Sequence, residues 1–560
     1  MRFLPWLSKY PSGVPSTVTL DGKKSLVGLL EDVFSQYKHL PMLENMGKTL
    51  TYGEVDRLSK NFAAYLQRHT PLKAGDHVAL QLPNLLQYPI ALFGVLRAGM
   101  VVVNVNPLYT PSEMAYQLKD AKAKAIVILE NFAQKLEEVI LETHIKAVCI
   151  TSVGDALGSV KGRLVNFAVR YVKKLVPSYH LPQACSWRRA MGLGKKARFE
   201  RVLPQAHQTA FLQYTGGTTG VSKAAMLTHA NVLANTEQML VCMHPMFQSC
   251  KEVVITPLPL YHVLSLICNL LTCMRLGAKN VLITNPRDLV ALIKELRKQR
   301  FTLISGVNTL FRALMTHPAF SSIDFTHLKA ALTGGMALQK QVAQQWQERT
   351  GRPLIEGYGL TEASPVVSFN MLDGTHRLGT IGIPLPSTLV RVVDEQGKDV
   401  PAGVPGHLMV QGPQVMAGYW NKPAETQLVL EGGWLRTGDV AFMDEEGFLT
   451  IVDRLKDMIN VSGFNVYPSE IEYIIQAHPK VAEVGAVGAM NAQGQEMVKV
   501  YVVKQDPSLT EHELIAYCRT RMTGYKVPKW VEFRDCLPKS HLGKVVKRVL
   551  RAESTSSATV

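Results

Sequence analysis

The sequence predicts an α/β chain with parallel-rich sheets, followed by a smaller α+β unit, and three observations lead there. Through the first half, short runs of β-branched residues, apolar on both faces, alternate with stretches of helical periodicity, the signature of strands buried between helices. The alternation resumes beyond a Gly/Thr-rich stretch at residues 214–223. A charged break at 453–457 then precedes about a hundred residues in which strands and helices are mixed differently.

In order, helices are expected at residues 55–68, 85–98 and 111–121, between strands at 77–82, 101–105, 125–129 and 147–151. Further strands follow at 253–255, 281–284, 303–305 and 330–332. Beyond the break come a helix at 469–477, strands at 484–487 and 498–503, and a helix at 511–522, with a polar tail from Ser554 expected to be disordered. No internal repeat is evident. The organisation is therefore a domain at 1–452, a linker at 453–457 and a domain at 458–560.

Composition narrows the function. At 560 residues, 47% hydrophobic and 19% charged, the chain can bury a large core. A net charge of +16 favours anionic partners: nucleic acid, acidic lipid or polyanionic cofactors. The eight cysteines include no Cys-x-x-Cys pair, so neither a zinc ribbon nor a disulfide framework is indicated, and packed, reduced thiols are expected. The N-terminal apolar stretch is too short for a signal-peptide core, and no run reaches the roughly 18 apolar residues of a spanning helix. Within an insert at about 161–201, eleven basic side chains accompany one acid, Glu200, so this segment carries +10 of the total. Arg163, Asn166, Arg170, Lys173 and Lys174 recur there at helical spacing among Leu164, Val165, Phe167, Val169, Tyr171, Val172 and Leu175. Such a helix suits an anionic membrane surface, or packs on its own domain with its lysines solvated. No recognition module accompanies the charge, which sets nucleic acid aside.

The chemistry concentrates in a few loops. Tyr214, Thr215, Gly216, Gly217, Thr218, Thr219, Gly220, Val221, Ser222 and Lys223 lie between apolar runs at 210–212 and 224–227. Glycine backbone N–H groups, three threonine hydroxyls and a lysine make a phosphate cradle between two strands. A Walker A loop it is not, because Lys223 follows Gly220 by three residues, and the Gly47-Lys48-Thr49 triplet has Met42 where the first glycine belongs. Glu356-Gly357-Tyr358-Gly359-Leu360-Thr361-Glu362 offers an aromatic plane, a hydroxyl and a carboxylate at a strand end, suited to a purine, a phosphate and a magnesium ion. Asp439, after Gly438, can grip ribose hydroxyls or cap its own turn. Lys544 lies on a loop after Pro538.

These stretches, in this order, resemble the acyl-adenylate-forming synthetases, the superfamily of acyl-CoA synthetases, firefly-type luciferases and peptide-synthetase adenylation domains. Residues 214–223, 358–362, 434–439, 453–456 and 538–544 match its successive signatures over nearly the whole chain. Within it the likeness is to the bacterial long-chain fatty-acid–CoA ligases, through 105–110, 212–217, 308–311, 461–468 and 523–529. The resemblance implies a large multi-layer N-terminal domain and a small, mobile C-terminal lid. It implies that ATP and a fatty acid form an acyl adenylate, which coenzyme A then intercepts. The Thr215–Lys223 loop would take the β and γ phosphates, and Thr215 and Glu362 would hold Mg2+ with Thr361 beside them. Lys544 would bridge the carboxylate and α-phosphate. Tyr358, between Gly357 and Gly359, would border adenine, Asp439 and Arg454 would hold the ribose, His262 would lie beside the acyl group, and Lys456 would be the hinge. A cytoplasmic protein, peripheral on the inner face of the cell membrane, is implied, with a homodimer left open.

Amino-acid-activating relatives place an Asp near Leu260-Tyr261-His262, and none stands there, so a plain carboxylic acid is expected. Medium-chain or aryl acids, or loading of a carrier protein, remain alternatives within the superfamily. A non-catalytic lipid-binding relative would have lost Lys544, Glu362 or Asp439, and all three are present. Ala224 departs from the pattern, which usually has Gly there, and its methyl is expected to crowd the loop's exit.

Overall fold

Helices start where the sequence supplies a cap. Thr51 and Glu54 exchange hydrogen bonds at the head of Tyr52–His69, and Thr110 and Glu113 do so at Pro111–Asp120, satisfying N–H groups that the first turn leaves unpaired. The computed structural model describes residues 4–20, 25–215, 222–461, 464–491, 495–540 and 544–556. They fall into two compact units.

The larger unit holds residues 7–389 and 411–433. One of its sheets has seven strands, in the order Cys185–Ser186, Ala147–Thr151, Ala125–Leu129, His77–Gln81, Val101–Asn104, Thr209–Thr215 and Lys223–Thr228. All pairings are parallel except the last, where Thr209–Thr215 turns back against Lys223–Thr228. Val101–Asn104 and Ala125–Leu129 are buried at every position, which is why neither shows polar alternation. The second sheet has nine strands, with Lys279–Leu282, Val253–Thr256, Leu303–Gly306, Ala330–Thr333 and Leu354–Gly359 running parallel through its middle. Trp346, fully buried, packs edge-on to Phe311 with ring centroids 4.8 Å apart and fixes the helix Lys340–Thr350 against this sheet. The expected strands and helices are all present, within a few residues of their ends.

The basic stretch forms the helix Ser159–Phe167, continued by a wider turn over Ala168–Val172, with Lys161, Arg163, Arg170, Lys173 and Lys174 exposed. Asn166 accepts from Gly154 N at 2.7 Å and donates to Asp155, and Arg170 pairs with Glu130 at 2.5 Å, so this polar stripe anchors the helix to the unit. Gly162 and Gly154 meet backbone to backbone, and a Cβ on either would come within 2.4 Å of the other's carbonyl oxygen. The apolar stripe faces out: Val160, Leu164, Phe167, Tyr171, Val172 and Leu175 are 53–72% exposed. Polar contacts, not hydrophobic packing, decide which side turns inward.

The other unit gathers residues 1–6, 390–410 and 434–560. Gly406–Gln411, Trp434–Met443 and Leu449–Arg454 form an antiparallel sheet. Val481–Met490 and Glu496–Lys504 pair antiparallel, with Trp530–Phe533 parallel beside them, over a core that includes Ile459, Val466, Ile471, Ile475 and Leu514. The strand ending at Arg454 and its turn are tied to more C-terminal segments: Ser469 N donates to Asp453 at 2.7 Å, and Arg551 donates to the Lys456 carbonyl at 3.2 Å. The compact units accordingly divide at 389/390, 410/411 and 433/434, while the expected linker at 453–457 lies inside the second unit. The expected disordered tail begins as helix: Lys547–Ser556 includes Ser554, which is buried, and residues 557–560 lie outside the described residues.

Among the described residues no helix is long and apolar enough to cross a membrane. All eight cysteines are free thiols and five are buried.

Candidate active site

The phosphate-loop candidates sit where the last two strands of the seven-stranded sheet meet. Thr215 and Lys223 are the final register pair, and the Ser222 hydroxyl donates to the Thr215 carbonyl. Gly216, Gly217, Thr218, Thr219 and Gly220 lie outside the described residues. Tyr214 is buried, with its hydroxyl donating to Asp120 at 2.6 Å. Burial, reinforced by that carboxylate, pushes its phenol far above the usual range, so it stays a donor. Ala224 is buried in the hydrophobic core, next to loop residues that lie outside the described residues.

Glu362 follows the strand Leu354–Gly359, in a short turn over Thr361–Ala363. Gly359 is required here, because a Cβ would lie 2.0 Å from the Pro365 carbonyl oxygen. Tyr358, Thr361 and Glu362 are all half-buried at this strand end. Residues 416–420 run beside the strand Lys223–Thr228, with Met226 N bonded to Gly418 O and Trp420 N to Ala224 O, both at 2.9 Å. That placement puts Tyr419 between two sequence-predicted groups: its hydroxyl donates to Glu362 Oε1 at 2.7 Å, and the Lys223 ammonium lies 5.3 Å from its ring centroid. Sequence reading missed Tyr419. The aromatic pair after Gly418, whose φ of +138° marks a sharp bend, was the available signal.

His262 stands just ahead of a fully buried helical segment, Ser265–Leu271, and is half-buried. A polar chain connects its neighbours to the strand Thr209–Thr215. Gln213 donates to Tyr261 O at 3.0 Å and accepts from Asn104 at 3.0 Å, and the Tyr88 hydroxyl lies 2.7 Å from Asn104 Oδ1 and 2.9 Å from Leu260 O. All are buried, so the network holds the two segments in fixed register.

The remaining candidates belong to the second unit. Asp439 and Arg454 are direct partners on neighbouring strands, 3.2 Å apart, with Asp439 buried. Lys544 joins them. Its side chain is exposed overall, but its amine is crowded enough that burial, ahead of the Arg454 charge and against Asp439, draws its pKa below the usual lysine value. Lys456, on the turn after Arg454, is pulled down to about 8 by burial, with Arg454, Lys544 and Arg551 adding to the shift against Asp457. A cradle of donors and cations around one buried acid can hold a polyhydroxylated anion.

The AMP-binding enzyme family matches residues 30–420, and its C-terminal domain matches 470–544. The chain belongs to the AMP-binding enzyme family. A long-chain-fatty-acid–CoA ligase of Escherichia coli O6:H1 is 53% identical over 549 residues, 98% of each chain. Among solved structures, ATP-bound MatB from Rhodopseudomonas palustris is 27% identical with a TM-score of 0.78, covering 95% of this chain and all of that one. The anthranilate CoA ligase AuaEII, solved with anthranoyl-AMP, shares the fold at a TM-score of 0.84 and 22% identity, over 97% and 99% of the two chains.

In this member of the AMP-binding family, Thr215, Lys223 and the Glu362 strand lie on one unit, and one buried acid of that strand is titratable near neutrality. Glu356, at the root of the Tyr358 strand, is buried, and burial pushes its carboxyl up from 4.5 to about 7, partly offset by a hydrogen bond from Leu338 N. The folded state therefore keeps a proton that the unfolded chain releases, and stability falls as pH rises from about 4.5 through about 7, by on the order of 3 kcal/mol in all. Glu356→Gln preserves the acceptor for Leu338 and removes the titration. The melting temperature of the variant is expected to overtake that of the parent as pH rises from 5 to 8, and parallel curves would contradict the assignment.

Proposed function

We propose that this protein is an AMP-forming long-chain fatty-acid–CoA ligase, an acid–thiol ligase that takes ATP, a fatty acid and coenzyme A through an acyl adenylate. The observation that carries the reading is the full-length similarity, 53% identity over 98% of both chains, to a protein of that name. The carboxylate attacks the α-phosphorus and pyrophosphate leaves; the coenzyme A thiolate then attacks the acyl carbon and AMP leaves. Both steps gather anions, so positioned donors and positive charge contribute more than covalent assistance.

In this reading Lys223 and the Thr215 hydroxyl meet the terminal phosphates, Tyr358 borders the adenine, and Asp439 with Arg454 holds the ribose hydroxyls. Lys544 places its ammonium between the carboxylate and the α-phosphate, and His262 lies beside the acyl group. Among the described residues no cluster of three metal-binding side chains occurs. A lone carboxylate fits Mg2+ all the same, because that ion keeps most of its sites for water and substrate phosphates. Glu362, with Thr215, would hold it, and its charge would neutralise the phosphates. One arrangement of Lys544 cannot serve both steps, so the segment 458–560 turns about Lys456 between them. The outward apolar stripe at 160–175, flanked by Lys161, Lys173 and Lys174, supports peripheral attachment to an anionic membrane, where the substrate acids partition.

Pyrophosphate release and thioester formation, assayed over saturated acids of increasing length, test the reading. Long-chain acids are expected to exceed short-chain and aryl acids by at least about tenfold in kcat/KM, as a long apolar tail buried in stages allows. Preference for aryl or medium-chain acids would overturn it.

A further inference from the structure

A cavity of about 630 Å³ borders the helix Ser159–Phe167 and its continuation, apart from the candidate active-site residues, and falls within the ~300–1,000 Å³ typical of ligand sites. Three arginines line it: Arg163 and Arg170 from the helix, and Arg188 from the first turn of Trp187–Lys196. Two bordering carboxylates are already matched. Glu130 accepts from Arg170, while Asp155 accepts from Arg188 at 3.1 Å, from Asn166 at 3.2 Å and from Ser152 N at 2.8 Å. Arg163 has no ion pair among the described residues, and each guanidinium carries five N–H donors, so the lining keeps donors and a net positive charge unspent.

Phe167 and Tyr171 decide what kind of anion fits. Both line the cavity, both belong to the exposed apolar stripe, and their rings touch at 5.2 Å between centroids. A ligand reaching the arginines therefore passes an apolar rim, which matches a phosphate joined to acyl chains better than a free phosphate. Six of the chain's exposed large apolar side chains fall within these sixteen residues, enough to mark a partner surface. A second copy of the chain is a poor partner, because it would bring two segments of +10 together.

We propose that this cavity seats the phosphate head group of an anionic phospholipid, held by Arg163 with Arg170 and Arg188, while the stripe from Val160 to Leu175 enters the acyl layer. The inference rests on the peripheral-membrane reading above and gives it a defined lipid contact. Arginine is the informative side chain, since its planar fork grips a phosphate through two bonds where lysine offers a point charge.

The full-length protein is titrated with soluble dihexanoyl phosphatidylglycerol by calorimetry, and is sedimented with phosphatidylcholine vesicles with and without 30% phosphatidylglycerol. Arg163→Lys conserves charge and is expected to lower both affinities about tenfold, whereas Lys173→Gln, outside the cavity, lowers vesicle binding about fivefold and leaves the short lipid unaffected. Thioester formation in detergent is expected unchanged in the Arg163 variant, which certifies its fold. Vesicle binding by an Arg163→Lys protein equal to the parent, or no binding of the short lipid, overturns the cavity and leaves membrane attachment standing. Short-lipid binding without vesicle binding does the reverse. A concentration-dependent dimer, abolished by Leu164→Ser and accompanied by neither lipid interaction, overturns both.

Discussion

Lys544→Ala is expected to lose acyl-adenylate formation by about a thousandfold while converting a supplied acyl adenylate to the thioester at close to the parental rate. The first step brings a carboxylate against a polyphosphate, and an ammonium between them offsets repulsion that grows toward the transition state, a contribution of roughly 3–4 kcal/mol where water is excluded. The second step has no such need, because the attacking thiolate meets an acyl group whose leaving AMP is already bound. The surroundings of Lys544 add a pH signature. Burial and the Arg454 charge lower its pKa, with Asp439 and Asp457 opposing, so its amine loses the proton at a lower pH than a free lysine. Adenylation is therefore expected to decline on the alkaline side before the thioester step does, and this limb should vanish in Lys544→Ala. Pyrophosphate release and transfer from synthetic acyl adenylate, each followed across pH, separate the two. Equal losses in both half reactions would contradict the role.

Much of this architecture is legible because local signals agree with the fold. Capping pairs such as Thr51 with Glu54 mark helix starts, and Val101–Asn104 reads as a buried parallel strand because every position is apolar or paired. The signature stretches hold Lys223 and Arg454 at strand ends, Glu362 in the turn after a strand, and Asp439 within a strand opposite Arg454. Other features depend on contacts distant in sequence. Residues 390–410 are held to 434–454 by strand pairing, and Asp453 at the end of that sheet accepts from Ser469 N, contacts that no periodicity announces. Periodicity shows that the stretch 159–172 has two faces, yet which one turns inward is decided by Glu130, Gly154 and Asp155, all on earlier segments. Tyr419, likewise, meets Glu362 and Lys223 only once residues 416–420 lie along the strand Lys223–Thr228, a pairing the aromatic pair alone does not announce.

Tyr419 also yields the second large effect. Its hydroxyl holds one oxygen of Glu362 at 2.7 Å, leaving the other carboxylate oxygen for a cation or phosphate-bound water, while its ring faces Lys223. Burial and the Glu362 charge push the phenol well up, so the donor survives at any working pH. Tyr419→Phe keeps the ring near Lys223 and deletes only the hydrogen bond, which to a charged acceptor contributes about 1.5–3 kcal/mol. Adenylation is expected to fall about ten- to a hundredfold in kcat/KM, against roughly a thousandfold for Glu362→Gln, which removes the charge itself. Because Tyr419 acts by orienting Glu362, the double variant should be little worse than Glu362→Gln alone, a coupling that independent sites do not show. A merely structural Tyr419 would instead give additive losses, a lowered melting temperature and equal damage to adenylation and to thioester formation from supplied acyl adenylate. The expected pattern confines the loss to the first step and shifts the magnesium concentration required for half-maximal rate upward in Tyr419→Phe, since a carboxylate free to rotate presents its second oxygen less often.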